Sequence, residues 1–261
     1  MTEGQFPLAE LARIGPYFAL RESGDAGFEP VGDLIAGTAP AASVLSDRID
    51  EVSARLGTEQ RWIGASILYQ GWAARLTSIY AGSALLTGTV PNLSAARLRY
   101  RAPAPGPVDL LATQLVATDP AEGWQLLARE HLDPLARAIR HQVRIGQHLL
   151  RGNVASALAG SLVVLAMQGL RPLDELIGLA WAQPAELRRY GRWRATPGGR
   201  RYARTTCCGL TQLSGGRRCG DCSLAWRRAP ADPTTVGNDS NHDTSGELSG
   251  QLRPWPVATG R

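Results

Sequence analysis

Cys207, Cys208, Cys219 and Cys222 are the only cysteines in a chain of 261 residues, and they fall within sixteen positions as C-C-x10-C-x2-C. Cysteines that serve only as small buried hydrophobes have no reason to cluster. The grouping therefore points to disulfides, a zinc site or an iron-sulfur cluster. Neighbouring Cα atoms lie ~3.8 Å apart, below the ~4.4 to 6.8 Å that a disulfide spans, so Cys207 and Cys208 make a poor bridge. Cys219-Gly220-Asp221-Cys222 is an ordinary zinc half-site. The other half of a zinc site usually carries a spacer of about two to four residues, and the vicinal pair has none. Two irons bridged by sulfide each take two thiolates, which relaxes that restriction. On spacing alone a 2Fe-2S cluster is favoured, and zinc stays open.

The vicinal pair, the ten-residue gap and the closing CGDC, set behind a long helical region, resemble the cluster motif of the FhuF-type ferric-siderophore reductases. The resemblance implies that Cys207, Cys208, Cys219 and Cys222 ligate one 2Fe-2S cluster. It also implies that the protein reduces Fe(III) in a ferric siderophore by one electron, drawn from a separate donor such as a ferredoxin or a flavin reductase. Gly209 and Leu210 follow the pair where relatives often carry bulky aromatics. The run 150–156, LRGNVAS, is similar to a segment of siderophore-handling relatives, which makes Arg151, Asn153 and Ser156 candidate substrate contacts. Arg217 and Arg218, inside the cysteine loop, join them on charge. One-electron transfer needs no general acid or base. The chain accordingly shows no paired-carboxylate or Ser/His/Asp constellation, no H-E-x-x-H and no G-x-G-x-x-G loop.

Lysine is absent, so all 28 basic residues are arginines. Residues 188–228 hold eleven of them against the single acid Asp221, a formal +10, which leaves −5 on the rest of the chain. A two-iron cluster on four thiolates carries roughly −2 oxidised and −3 reduced. Guanidinium groups and backbone N–H donors around it favour the reduced form and attract an anionic chelate. Two other function classes fit the charge. One is a zinc module whose arginines grip nucleic acid; an apolar, acidic helical region argues against it, and no nucleic acid partner is expected. The other is a siderophore-binding or biosynthetic protein with a structural or sensory cluster. The N-terminus lacks a basic segment followed by an apolar run, so the reading places the chain in the cytoplasm, with peripheral contact at the inner face of the membrane left open.

The elements that must position this site read as mainly α with a small β component (α+β). Helical spacing runs over 41–56 and 58–86, and a β-hairpin is expected within 89–118, turning at 102–107. Its alternation puts Arg97, Arg99 and Arg101 on one strand face. Residues 119–150 predict one or two helices interrupted at Asp133-Pro134, with His131, His141 and His148 as ordinary histidines. Residues 152–170 are nineteen without a charge, long enough to span a bilayer. Asn153, Ser156, Ser161 and Gln168, with several glycines and alanines, make a buried central helix the better reading. A second hairpin, turning at 196–199, is expected to deliver the chain to Cys207. The domain reading is a scaffold over 1–187, an Arg-rich cluster segment over 188–228 and a disordered tail over 229–261.

Overall fold

The computed structural model describes residues 6–24, 26–35, 41–103, 106–180, 184–216 and 218–227. The tail over 229–261 and Arg217 lie outside them. The fold is mainly helical with small antiparallel sheets.

A short helix α1 (Leu8–Ile14) stops at Gly15, and β1 (Glu29–Pro30) leads into α2 (Gly32–Ile35) and α3 (Ala41–Arg55). The next apolar run forms α4 (Arg61–Thr87), and Gly88 ends it in the left-handed conformation, its N–H returning to the carbonyl of Ala84. The β region follows: β2 (Val90–Pro91), β3 (Leu98–Arg101), β4 (Asp109–Ala112) and β5 (Ala117–Thr118). β3 and β4 pair as the expected hairpin, β1 lies on the other edge of β3, and β2 pairs with β5. The strand arginines have local work: Arg99 donates to the carbonyl of Phe28, and Arg101 pairs with Asp109 at 2.9 Å while stacking over the Phe28 ring.

Asp119 caps α5 (Pro120–Leu127) by accepting the N–H of Ala121. The helical path then runs through a π-turn (Ala128–Leu132) directly into α6 (Asp133–Gln142). The interruption expected at Asp133-Pro134 is thus a widened turn rather than a break. Pro134 lacks an N–H to donate, and the wider turn upstream accommodates it. The break falls later, where Val143 is extended.

That π-turn carries His131 into the core. Its Nε2 faces the carbonyl of Leu93, its Nδ1 has no partner among the described residues, and burial pushes its pKa down. The folded imidazole is therefore neutral and donates from Nε2, whereas an unfolded one takes a proton near pH ~6.5. As pH falls below that value the unfolded chain binds a proton that the fold refuses. Stability should drop by up to ~1.4 kcal/mol per pH unit until the folded pKa is reached. Denaturant melts at pH 7 and 5.5 check this. His131→Gln, which can still donate to Leu93, should flatten the slope, and an unchanged slope would assign it to another group.

The uncharged stretch becomes α7 (Gln147–Met167), which passes the length and apolarity test for a membrane span but has 67% of its most apolar window buried inside the fold. It packs on α4 through a polar seam. Asn153 donates to the carbonyl and hydroxyl of Ser66, Gln70 donates to Ser156 at 3.0 Å, and Ser78 meets Ser161 at 2.9 Å. The partners rise together along both helices, so α4 and α7 run in the same direction. Small side chains let two apolar helices approach closely, and the pairing removes the cost of burying hydroxyls and amides. The chain continues with α8 (Leu173–Ala180), a 3-10 helix (Ala185–Tyr190), β6 (Gly191–Thr196), β7 (Gly199–Arg204), a 3-10 turn (Leu210–Gln212) and α9 (Ser223–Arg227).

Candidate functional site

β6 and β7 form the hairpin that leads to the cysteines, turning through Gly199 at φ 100°. Trp193 and Tyr202 face each other across it, ring centres 5.3 Å apart. The last three residues of β7, Tyr202, Ala203 and Arg204, are all buried. At the exit the chain presses on α7 at Gly152, where a Cβ would stand 2.2 Å from Thr206 Oγ1. The N–H of Thr205 bonds to the carbonyl of Tyr190, and the N–H of Arg204 bonds to the carbonyl of Asp221 at 3.2 Å. This last bond ties the two cysteine-bearing halves together.

Cys207 is half-buried and Cys208 buried; Gly209 follows at φ 101°. A Cβ on Gly209 would come within 3.0 Å of the Trp62 ring, so an aromatic from α4 packs against the residue that follows the vicinal pair, although none follows it in sequence. Gly215 and Gly216, both at positive φ, turn the chain back toward Cys219. The N–H of Cys222 then closes on the carbonyl of Cys219 at 3.2 Å, just before α9. All four cysteines are free thiols.

Cys208 and Cys219 bring one thiol from each half together, their Sγ atoms 3.7 Å apart and sharing a hydrogen bond. Two thiolates ~2.3 Å from one tetrahedral metal would lie ~3.8 Å apart. Cys207 Sγ instead lies 3.3 Å from Thr211 Oγ1, and Cys222 is buried. Among the described residues no three His, Cys, Asp or Glu side chains are gathered as one metal-binding group. The donor set suits a thiolate-bound cluster by type, number and the spacing of this cross-half pair. The shared bond pulls the Cys208 thiol down to about 6 against its burial, with the charge of Arg204 assisting. The same bond, burial and Asp221 hold the remaining proton on Cys219 well above the ordinary thiol range.

Beside this pair stand polar groups that the fold does not satisfy. Arg204 is 3% exposed, and its Nη2 donates to Asn153 Oδ1 while Nε and Nη1 have no partner among the described residues. The same holds for both carboxylate oxygens of buried Asp221 and for Thr206 Oγ1.

The remaining candidates are not gathered into one pocket. Arg151 pairs with Asp133 at 2.8 Å, bridging α7 to α6. Asn153 and Ser156 are buried in the α4–α7 seam, where a bound molecule does not reach them. Arg218 is exposed on the cysteine loop, and Arg217 lies outside the described residues. A cavity of 380 Å³ lies between α8 and the β6–β7 hairpin, lined by Ile177, Gly178, Arg188, Arg192, Trp193 and Tyr202. His141 and His148 are exposed, and His148 packs on the Tyr190 ring at 4.8 Å.

Sequence reasoning missed Arg204, Asp221, Thr206, Gly152 and Trp62. For Arg204 the signal was only its place among the eleven arginines around the cysteines. For Gly152 and Trp62 there was none, because their contacts are made across the fold.

A scan against models of known protein families matches none of them, and a search of curated proteins returns no match.

Proposed function

We propose that this protein is a 2Fe-2S reductase of ferric chelates, acting on ferric siderophores in the cytoplasm, where thiols stay reduced. The observation that supports it most is the thiol set: four free cysteines in one short stretch, with Cys208 and Cys219 already drawn from opposite halves to 3.7 Å. Cys207, Cys208, Cys219 and Cys222 would hold the cluster, which when bound supplies one electron at a time.

The protein's own residues do the rest. Trp62 packs on Gly209 beside the vicinal pair, and Gly152 lets the hairpin exit seat against α7. Exposed Arg201, whose Nη2 donates to the carbonyl of Gly220, and exposed Arg218, next to Cys219, put positive charge on the cysteine loop that draws in an anionic, oxygen-rich chelate. The substrate's balance is a single electron. Fe(III) gains one from a reduced donor of the ferredoxin or flavin-reductase class and becomes Fe(II). Hard siderophore oxygens hold Fe(II) weakly, so the metal leaves with no bond within the siderophore broken, and the freed oxygens take their protons from water without a protein acid or base.

Protein purified without oxygen should contain about two irons and two acid-labile sulfides per chain and bleach on dithionite. Once reduced, it should be reoxidised by a ferric hydroxamate or catecholate, with Fe(II) trapped by a coloured chelator. One zinc and no sulfide would overturn the reading, as would reduced protein that no ferric chelate reoxidises.

A further inference from the structure

We propose that Arg204 is the residue that sets the potential of the cluster, its Nε–H and Nη1–H donating to the cluster's sulfur atoms; this rests on the 2Fe-2S reading above. A buried guanidinium with two N–H-bearing nitrogens unpartnered is a costly thing to keep. Arg204 is such a group, and it lies beside the cysteine motif: three residues before Cys207, its backbone N–H bonds at 3.2 Å to the carbonyl of Asp221, the neighbour of Cys222. It is also aimed. Asn153 spends its amide N–H on Ser66, which leaves Oδ1 to take Nη2 and hold that arm of the guanidinium. Asp221, the nearby buried acid, does not take up the free nitrogens: neither of its oxygens has a partner, and no ion pair joins it to Arg204 among the described residues. Sulfur acceptors on a negatively charged cluster would satisfy Nε and Nη1 at once. Hydrogen bonds and positive charge stabilise the more negative reduced state, so Arg204 raises the potential. Asn153 becomes a positioning residue that acts through Arg204, which gives the LRGNVAS segment a role without substrate contact.

Arg204→Met and Arg204→Lys, made in the full chain, test this. Arg204→Met should keep its iron and sulfide while its reduced-to-oxidised ratio at a fixed potential falls at least tenfold, about 59 mV for one electron. Arg204→Lys keeps the charge but not the planar fork, and should fall less. Wild-type protein assembled in D2O should show shifted Fe–S stretching bands in resonance Raman spectra, a shift that Arg204→Met loses. Unchanged potential and bands in Arg204→Met, with only a lower melting temperature, would overturn the proposal and leave Arg204 a core strut. If Arg204→Met does not assemble a cluster, Arg204→Lys and Asn153→Ala decide by the same two readouts, and no change in either overturns it. Wild-type protein without iron and sulfide would instead defeat the cluster reading itself, before any variant is compared.

Discussion

Cys219→Ser protein is expected to purify colourless, with iron and acid-labile sulfide at least tenfold below wild type and no ferric-chelate reduction, while its far-ultraviolet circular dichroism keeps the helical amplitude. Cys219 is the residue whose loss should do most, because its sulfur already meets that of Cys208 in the other half of the motif. A hydroxyl there is a poorer ligand for iron than a thiolate. The helices should survive because the main apolar cluster, built on α4 and α7, includes Tyr202 from the hairpin but no cysteine. Small metal domains that depend on their metal unfold without it; this chain has a core of its own. Metal analysis and circular dichroism on the same sample check both halves of the expectation. A variant that keeps its iron would remove Cys219 from the ligands, and one that loses its helices would mean that the cluster organises the fold.

Much of the scaffold was legible in the sequence. The helical repeat over 41–56 and 58–86 reappears as α3 and α4, and the alternating runs on either side of the turns at 102–107 and 196–199 reappear as paired strands. These signals are local, since periodicity and turn chemistry act within a few residues. The misplaced break at Asp133-Pro134 shows the limit: a proline's missing donor can be absorbed by a π-turn, and nothing nearby in sequence shows which outcome the core prefers.

At the site, thiol type and spacing were legible and their surroundings were not. Asn153 and Ser156 read as polar groups available to a ligand, yet each faces a partner on α4, more than eighty positions away. The seam uses residues at helical spacing on both helices, and only the pairing shows that α4 is the partner. Arg204 was hidden for the opposite reason. It stood among eleven arginines within 188–228, read together as the positive charge around the cluster; nothing in the run singles it out as buried, and its burial depends on where the hairpin lands on α7.

Arg75→Met should unfold more readily than any single change near the cysteines, by ~3–5 kcal/mol. Arg75 is 1% exposed at the centre of α4, and burial lowers its pKa to about 10, with Asp109 opposing the fall. Its guanidinium spans three backbone carbonyls: those of Val108 at 2.6 Å, Pro16 at 2.8 Å and Ala19 at 2.6 Å. It thereby fastens the N-terminal segment and the approach to β4 onto the helix. Methionine fills the space but donates nothing, so three part-buried acceptors lose their partner together, and each orphan costs up to ~1–3 kcal/mol before water or relaxation offsets it. Against a total stability of roughly 5–15 kcal/mol this is a large share. Arg204→Met leaves only the Asn153 oxygen unpaired and removes a charge that was itself under-satisfied, so its loss in stability should be several times smaller. Guanidinium melts of the two variants, beside the cluster potential of each, separate the roles of the two buried arginines. Arg75→Met should move the melt and leave the potential of the folded fraction unchanged, and Arg204→Met should move the potential and shift the melt several times less. Equal midpoints for Arg75→Met and wild type would mean that water replaces the guanidinium at all three carbonyls, and that the segment around Pro16 is held by its apolar contacts alone.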